Sequence, residues 1–293
     1  MIILTIDIVM FLQDFRNGFF DFFFSFISFL GEEYVYIFFF GIIYYTYDKK
    51  MGEFLAITLG ISATVNTIIK NIVGAPRPFE KYPDLVENLR PNTAGGNSFP
   101  SGHTQNFSTV LFGISFYQHK RLFFYLSTVL VLLMMLSRMY LGVHFLEDVL
   151  VATLLGSTIA YFLYKLFNKY YAYPVTLHRI YWSIILLLLP FLVFIEGADF
   201  FKSYGLLIGF VLGIIIEKKH INFSVNVSTI KKVLRVFFGL VIMIGIQQGF
   251  KLIFGIFTED GSNLMNIFDM FRYFLIAFTG FGIYPFLFKK FNF

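Results

Sequence analysis

Cysteine is absent from the 293 residues. No disulfide and no cysteine-ligated metal site can form, and the sequence carries no mark of its redox compartment. Charge is scarce as well: Asp, Glu, Lys and Arg make up 14% of the chain, against about 25% in a soluble globular domain. With 57% hydrophobic residues and a mean hydropathy of +0.73, this deficit excludes an ordinary soluble domain. It points to a chain that crosses a membrane several times. The opening stretch MIILTIDIVMFLQDF has no basic region and no small-residue cleavage site, so no cleavable signal peptide is expected. No clustering of Asp and Glu suggests a divalent-cation cage, so neither a metal nor another cofactor is expected. Internal repeats, low-complexity linkers and a second soluble domain are also missing. The net charge of +5 could suggest nucleic acid, but the basic residues sit in short clusters between apolar runs. That pattern belongs to membrane topology, and no nucleic-acid partner is expected.

What is present is apolar and aromatic. Forty-three Phe and eighteen Tyr suit lipid-facing and interfacial positions. Apolar segments able to cross about 30 Å of hydrocarbon fall near 33–47, 52–72, 104–118, 121–138, 146–167, 180–195, 203–216, 233–257 and 264–288. Residues 1–30 are amphipathic, with Asp7, Asp14 and Asp21 interrupting the apolar pattern. They either lie at the interface or tuck against the bundle. The expected fold class is all-α, a polytopic transmembrane helical bundle.

Threading the spans alternately sorts their connections. One side collects Lys49, Lys50, Lys120, Arg121, Lys165, Lys169, Arg179, Lys218, Lys219, Lys231, Lys232, Arg235, Lys289 and Lys290, and the positive-inside rule makes it cytoplasmic. The other collects GEE at 31–33, the 73–103 loop, EGAD at 196–199 and TEDG at 258–261. The sequons at Asn106, Asn222 and Asn226 fall in a predicted helix or on the predicted cytoplasmic side and read as chance.

Three clusters share the outer side. KNIVGAPRP, residues 70–78, sets Lys70 at a span end and Arg77 past a proline break. By themselves these could be snorkelling cations. PSGH, residues 100–103, offers Ser101 as an N-cap, Gly102 for close backbone approach and His103 for proton transfer. An ordinary capped helix would look similar. SRMYLGVHFLED, residues 137–148, places Arg138 at a span end and His144 and Asp148 four apart on one helical face. A carboxylate so placed can hold the imidazole Nδ1–H and leave Nε2 for a substrate. Jointly the clusters supply three cations, two histidines, a carboxylate and a helix N-terminus, an inventory suited to a phosphate dianion.

With these residues in place, the sequence closely resembles the type 2 phosphatidic acid phosphatase (PAP2) superfamily. The match is in order: Lys70, six residues, Arg77-Pro78; then Pro100-Ser101-Gly102-His103; then Ser137-Arg138, five residues, His144, three residues, Asp148. It covers about residues 31–165. LGEEYVYIFFFGIIYYTYDKKMG, residues 30–52, is also similar to the bacterial branch related to sphingosine-1-phosphate phosphatases. The resemblance implies a division into an amphipathic segment at 1–30, a PAP2-like catalytic core at 31–170 and additional transmembrane helices at 171–293. It implies metal-independent hydrolysis of a lipid phosphate or diphosphate, in an extracytoplasmic site of a multi-pass bacterial plasma-membrane protein. His144 would attack phosphorus, Asp148 would orient it and His103 would act as general acid. Lys70, Arg77, Ser101, the Gly102 N–H and Arg138 would hold the phosphoryl oxygens. The residues by themselves leave open which histidine is the nucleophile, and the paired carboxylate favours His144.

Candidate substrates are phosphatidic acid, phosphatidylglycerol phosphate, a sphingoid-base phosphate, or a polyprenyl phosphate or diphosphate such as undecaprenyl diphosphate. A lipid-to-lipid phosphotransferase would use the same site. Vanadate haloperoxidases share similar motifs but are soluble, and a transporter or structural membrane protein would not explain the complete signature. In the C-terminal part, Gln247, Gln248, Lys251, Asp269 and Arg272 read as helix–helix glue or snorkelling groups, with a role in lipid entry or in a dimer interface as the alternative. Oligomeric state is not legible.

Overall fold

Long runs of Phe, Leu, Ile and Val, punctuated by Pro, Gly and Asn, become helices because backbone polar groups in hydrocarbon must be satisfied within the segment. A computed structural model describes residues 2–195, 197–258 and 262–291, and all regular secondary structure among them is helical. In chain order it holds α1 (Ile2–Asp14), α2 (Gly18–Phe29), α3 (Glu33–Ile42, extended by a π turn at Ile43–Tyr47), α4 (Lys49–Val73) and the single turn α5 (Pro78–Lys81). Then come α6 (Gly102–Gln118), α7 (Arg121–Tyr140), α8 (Leu146–Tyr170), α9 (Pro174–Leu188) and the short α10 (Phe191–Phe194). The chain finishes with α11 (Ala198–Ile216, π turn Glu217–Ile221), α12 (Thr229–Phe257), α13 (Asn263–Phe278, π turn Thr279–Ile283) and α14 (Tyr284–Lys290).

Helix starts follow local chemistry. Asn17 caps α2 by accepting from the Phe19 and Phe20 N–H groups at 3.1 and 3.0 Å, and Pro174 opens α9, where its missing N–H costs nothing. Among the described residues, seven helical segments are long and apolar enough to span a bilayer. The chain is a multi-pass membrane protein. Two expected spans come out differently. Segment 33–47 is the second half of a broken pair with α2, bent by 56°. Segment 104–118 lies within α6, whose 17 residues reach only about 25 Å at 1.5 Å per residue.

The chain forms two compact units. The first comprises Met1–Val35 and Val65–Tyr164. Here α6 packs on α7, and α1 and α2 both lie on α7, burying Ile6, Val9, Ile27, Val131, Met134, Met139 and Val149. Residues 2–29 are thus tucked against helices. Buried Gln105, Ser108 and Thr109 form a polar row on α6 that meets α8. Ser108 Oγ donates to the Thr153 carbonyl at 3.1 Å, and a Cβ at Gly156 would lie 2.5 Å from the Gln105 carbonyl oxygen. In lipid, apolar contact brings no hydrophobic gain between helices, so close packing and such hydrogen bonds hold them together.

The second unit comprises Tyr36–Thr64 and Lys165–Phe293. Its axis is the α11–α13 pair, where Gly205 and Gly209 bring α11 against the α13 backbone; a Cβ at Gly205 would lie 2.1 Å from the Met270 oxygen. Two π turns meet through Tyr45, whose hydroxyl donates to the Gly280 carbonyl at 2.7 Å. Lys49–Glu217 at 2.8 Å and Lys218–Glu53 at 2.6 Å are ion pairs whose carboxylates are buried. Asp269 and Arg272 pair on α13 at 2.6 Å, and Gln247 of α12 donates to the Tyr273 hydroxyl at 3.2 Å. Lys251, in contrast, is exposed.

Candidate active site

All eight residues singled out from the sequence lie in the first unit. Lys70 sits in the last turn of α4, which Gly74 ends with φ +61°. Its ammonium donates to the Asn97 carbonyl at 2.5 Å, and its Cε would lie 3.9 Å from a Cβ at Gly102. Past the break, the Arg77 guanidinium ties two loops together. Its Nε and Nη2 donate to the Gly96 and Gly95 carbonyls at 2.8 and 2.7 Å, and Nη1 donates to the Val143 carbonyl at 2.9 Å. The glycines of GGNSFPSGH thus present backbone carbonyls to an arginine 3% exposed, which compensates the burial of its charge.

Ser101 is the expected N-cap of α6. Its hydroxyl accepts from the Thr104 N–H at 3.4 Å, and its own N–H donates to the Asp148 carbonyl at 3.1 Å. Gly102 and His103 form the first turn of that helix, and the buried Nε2 of His103 has no hydrogen-bond partner among the described residues. Arg138 closes α7, fully buried. Its Nη1 donates to Ser28 Oγ, while Nε and Nη2 are buried with no such partner.

His144 is carried by the turn between α7 and α8. That turn requires glycine at 142, where φ is +73° and a Cβ would meet the Glu87 carbonyl oxygen at 2.3 Å. Gln13 of α1 braces it, donating to the Glu87 and Tyr140 carbonyls at 2.9 and 3.2 Å. His144 Nδ1 lies 3.2 Å from Asp148 Oδ2, and Arg77 Nη1 lies 3.3 Å from His144 Nε2. An arginine can only donate, so this geometry fits a neutral ring with its proton on Nδ1 and its lone pair on Nε2. Burial, then Arg77, Arg138, Lys70 and His103, push the His144 pKa well down from its ordinary value.

Several contributors were not legible in the sequence. Ser98, fully buried, donates to Asp148 Oδ2 at 2.5 Å and lies 3.3 Å from His144 Nδ1. Asn66 of α4 donates to Gln105 Oε1 at 2.9 Å and to the Pro100 carbonyl at 3.3 Å, holding the PSGH turn against α4. Ser28, from the segment expected to be merely amphipathic, reaches Arg138. A serine two residues before PSGH was the available signal for Ser98; the other two had none.

Residues 53–172 match the family described as PAP2 superfamily, and residues 201–293 match PAP2 superfamily phosphatase, transmembrane extension. The chain is similar to phosphatidylglycerophosphatase B of Bacillus subtilis (strain 168), 30% identical over 127 residues that make up 40% of this chain and 58% of the relative. It is also similar to lipid A 4'-phosphatase of Porphyromonas gingivalis, 33% identical over 95 residues, 31% of this chain and 39% of the relative. The chain thus spans about half the length of these curated relatives. Among solved structures it is similar to Aquifex aeolicus LpxE, with 27% identity and a TM-score of 0.49 over 55% of this chain and 95% of that one. Two family matches along one chain, with the motif spacing and the paired His144 and Asp148, lead to one conclusion: the chain belongs to the PAP2 superfamily.

Proposed function

We propose that the protein removes a phosphate group from a membrane lipid by a two-step, metal-independent hydrolysis. The observation that carries this reading is the line Asp148–His144–Arg77: a carboxylate on Nδ1 at 3.2 Å and a guanidinium against Nε2 at 3.3 Å. Substrate phosphate entering beside Arg77 would meet the Nε2 lone pair. His144 Nε2 attacks phosphorus, the bond from phosphorus to the leaving oxygen breaks, and His103 gives that oxygen a proton. Asp148 then stabilises the imidazolium ring of the phosphohistidine. Water next attacks the phosphohistidine and loses a proton to His103; inorganic phosphate leaves and both histidines are restored. Ser98 keeps Asp148 aimed at the ring. Lys70, Arg77, Arg138, Ser101 and the Gly102 N–H compensate charge on the phosphoryl oxygens, where other enzymes use a divalent ion.

The basic residues flank the opposite ends of the spans from the three motifs, which supports a site on the extracytoplasmic face. Two of the curated relatives are bacterial and a third, a probable sphingosine-1-phosphate phosphatase, is from Dictyostelium discoideum; we take the bacterial plasma membrane as the location on the strength of the first two. The test is release of inorganic phosphate from purified lipid phosphates, with and without EDTA. Turnover that survives chelation, is inhibited by vanadate and is lost in His144→Ala is expected. Near-normal release by His144→Ala, or transfer only to a second lipid, overturns the reading.

A further inference from the structure

The break between α2 and α3 lies outside the residues that match the family, yet residues 28–32 touch the site twice and add an ion pair beside it. Ser28, fully buried, accepts from Arg138 Nη1. Gly31 faces the His103 ring so closely that a Cβ there would lie 3.1 Å from His103 Cδ2. Glu32 forms an ion pair with Arg90, whose backbone N–H donates to Asn88 Oδ1 at 2.9 Å and whose Nε lies 3.4 Å from Thr93 Oγ1. Arg90 and Glu32 are 21% and 20% exposed, so both can meet a ligand. Arg90 lies within electrostatic reach of both His103 and Arg138, so the Glu32–Arg90 pair stands on the His103 side of the site, with Glu32 next in sequence to the glycine that abuts that ring.

That side is where the leaving group departs. When a lipid monophosphate is cleaved, the leaving oxygen takes the proton of His103 and departs as a neutral alcohol, for which a further cation does nothing. When a diphosphate is cleaved at its terminal phosphorus, the group that departs is itself a lipid phosphate, and it carries negative charge beside His103. Building on the phosphatase reading above, we propose that Arg90, held in place by Glu32, binds an anionic leaving group and makes lipid diphosphates the favoured substrate class. The step balances. His144 Nε2 forms a bond to the terminal phosphorus, the bridging P–O bond breaks, and the bridging oxygen takes the His103 proton. The lipid monophosphate leaves against Arg90, and water then releases inorganic phosphate from His144. Glu32 is the charge partner that the leaving phosphate replaces.

The experiment compares a polyprenyl diphosphate with the polyprenyl monophosphate of the same chain length, using the full chain in detergent micelles and reading released phosphate. In Arg90→Gln the ratio of kcat/KM for diphosphate over monophosphate falls about tenfold, the size of one charge-assisted hydrogen bond. In Arg90→Lys much of the ratio is retained, and in Glu32→Gln it rises. Monophosphate turnover reports that each variant is folded. An unchanged ratio in Arg90→Gln, or an equal loss for both substrates, overturns the role of Arg90. Absence of phosphate release from either lipid by the unaltered protein overturns the phosphatase reading instead.

Discussion

His144 shows how a single side chain is set up by its neighbours. Burial and the nearby charges of Arg77, Arg138 and Lys70 push its pKa well down, which favours the neutral ring that the proposed nucleophile needs. An ordinary imidazole titrates near pH 6.5, and here the folded value lies below that. The attacking form therefore persists as pH falls through about 6.5, and the acid limb of kcat/KM lies lower still. Removing one of the opposing cations weakens the repulsion of a proton. Arg77→Gln is expected to move the acid limb up toward pH 6.5, whatever it does to the maximal rate, and a pH profile of kcat/KM checks it. His144, Asp148 and the spacing between them were legible, because four residues on a helix define one face. Ser98 was not: it stands fifty positions from Asp148, and only the folded loop puts its hydroxyl on the carboxylate.

Elements are positioned by where their backbones can approach. The α6–α8 contact depends on Gly156, which faces the Gln105 backbone oxygen rather than a flexible side chain. Gly156→Leu is expected to lower the apparent Tm in detergent by about 5 °C or more, as overpacking commonly costs 1–3 kcal/mol. Gly245→Leu on α12, with nothing within 4 Å of its Cβ position, leaves Tm unchanged; a thermal aggregation assay compares the two. Hydropathy made most of these helices legible. It did not disclose the α2–α3 break, because a bend at Leu30–Glu32 leaves composition on either side unaltered. Nor did it disclose that α6 falls short of a full span, because its Ser108 and Thr109 are satisfied by α8 and its Gln105 by Asn66 of α4, which no count of apolar residues records. The π turns at Ile43–Tyr47 and Thr279–Ile283 likewise answer to packing around Tyr45.

For the whole molecule, the absence of cysteine makes topology directly measurable. Asp84 and Lys120 are both exposed, and cysteines placed there report opposite sides. With the site outward, a membrane-impermeant maleimide labels Asp84→Cys in intact cells, whereas Lys120→Cys reacts only after permeabilisation. The reverse pattern would put the site inside. Membrane insertion, helical class and the inventory of candidate site residues were decided by the sequence alone, since hydropathy, charge placement and short spacings are local properties of a chain. What only the tertiary structure decided is which partners complete the site. Ser98 joins Asp148, Asn66 joins Gln105, Ser28 joins Arg138 and Glu32 joins Arg90 because distant segments fold onto one another. Hydrogen bonds of that kind depend on distances of about 3 Å in space, a quantity that sequence separation does not encode.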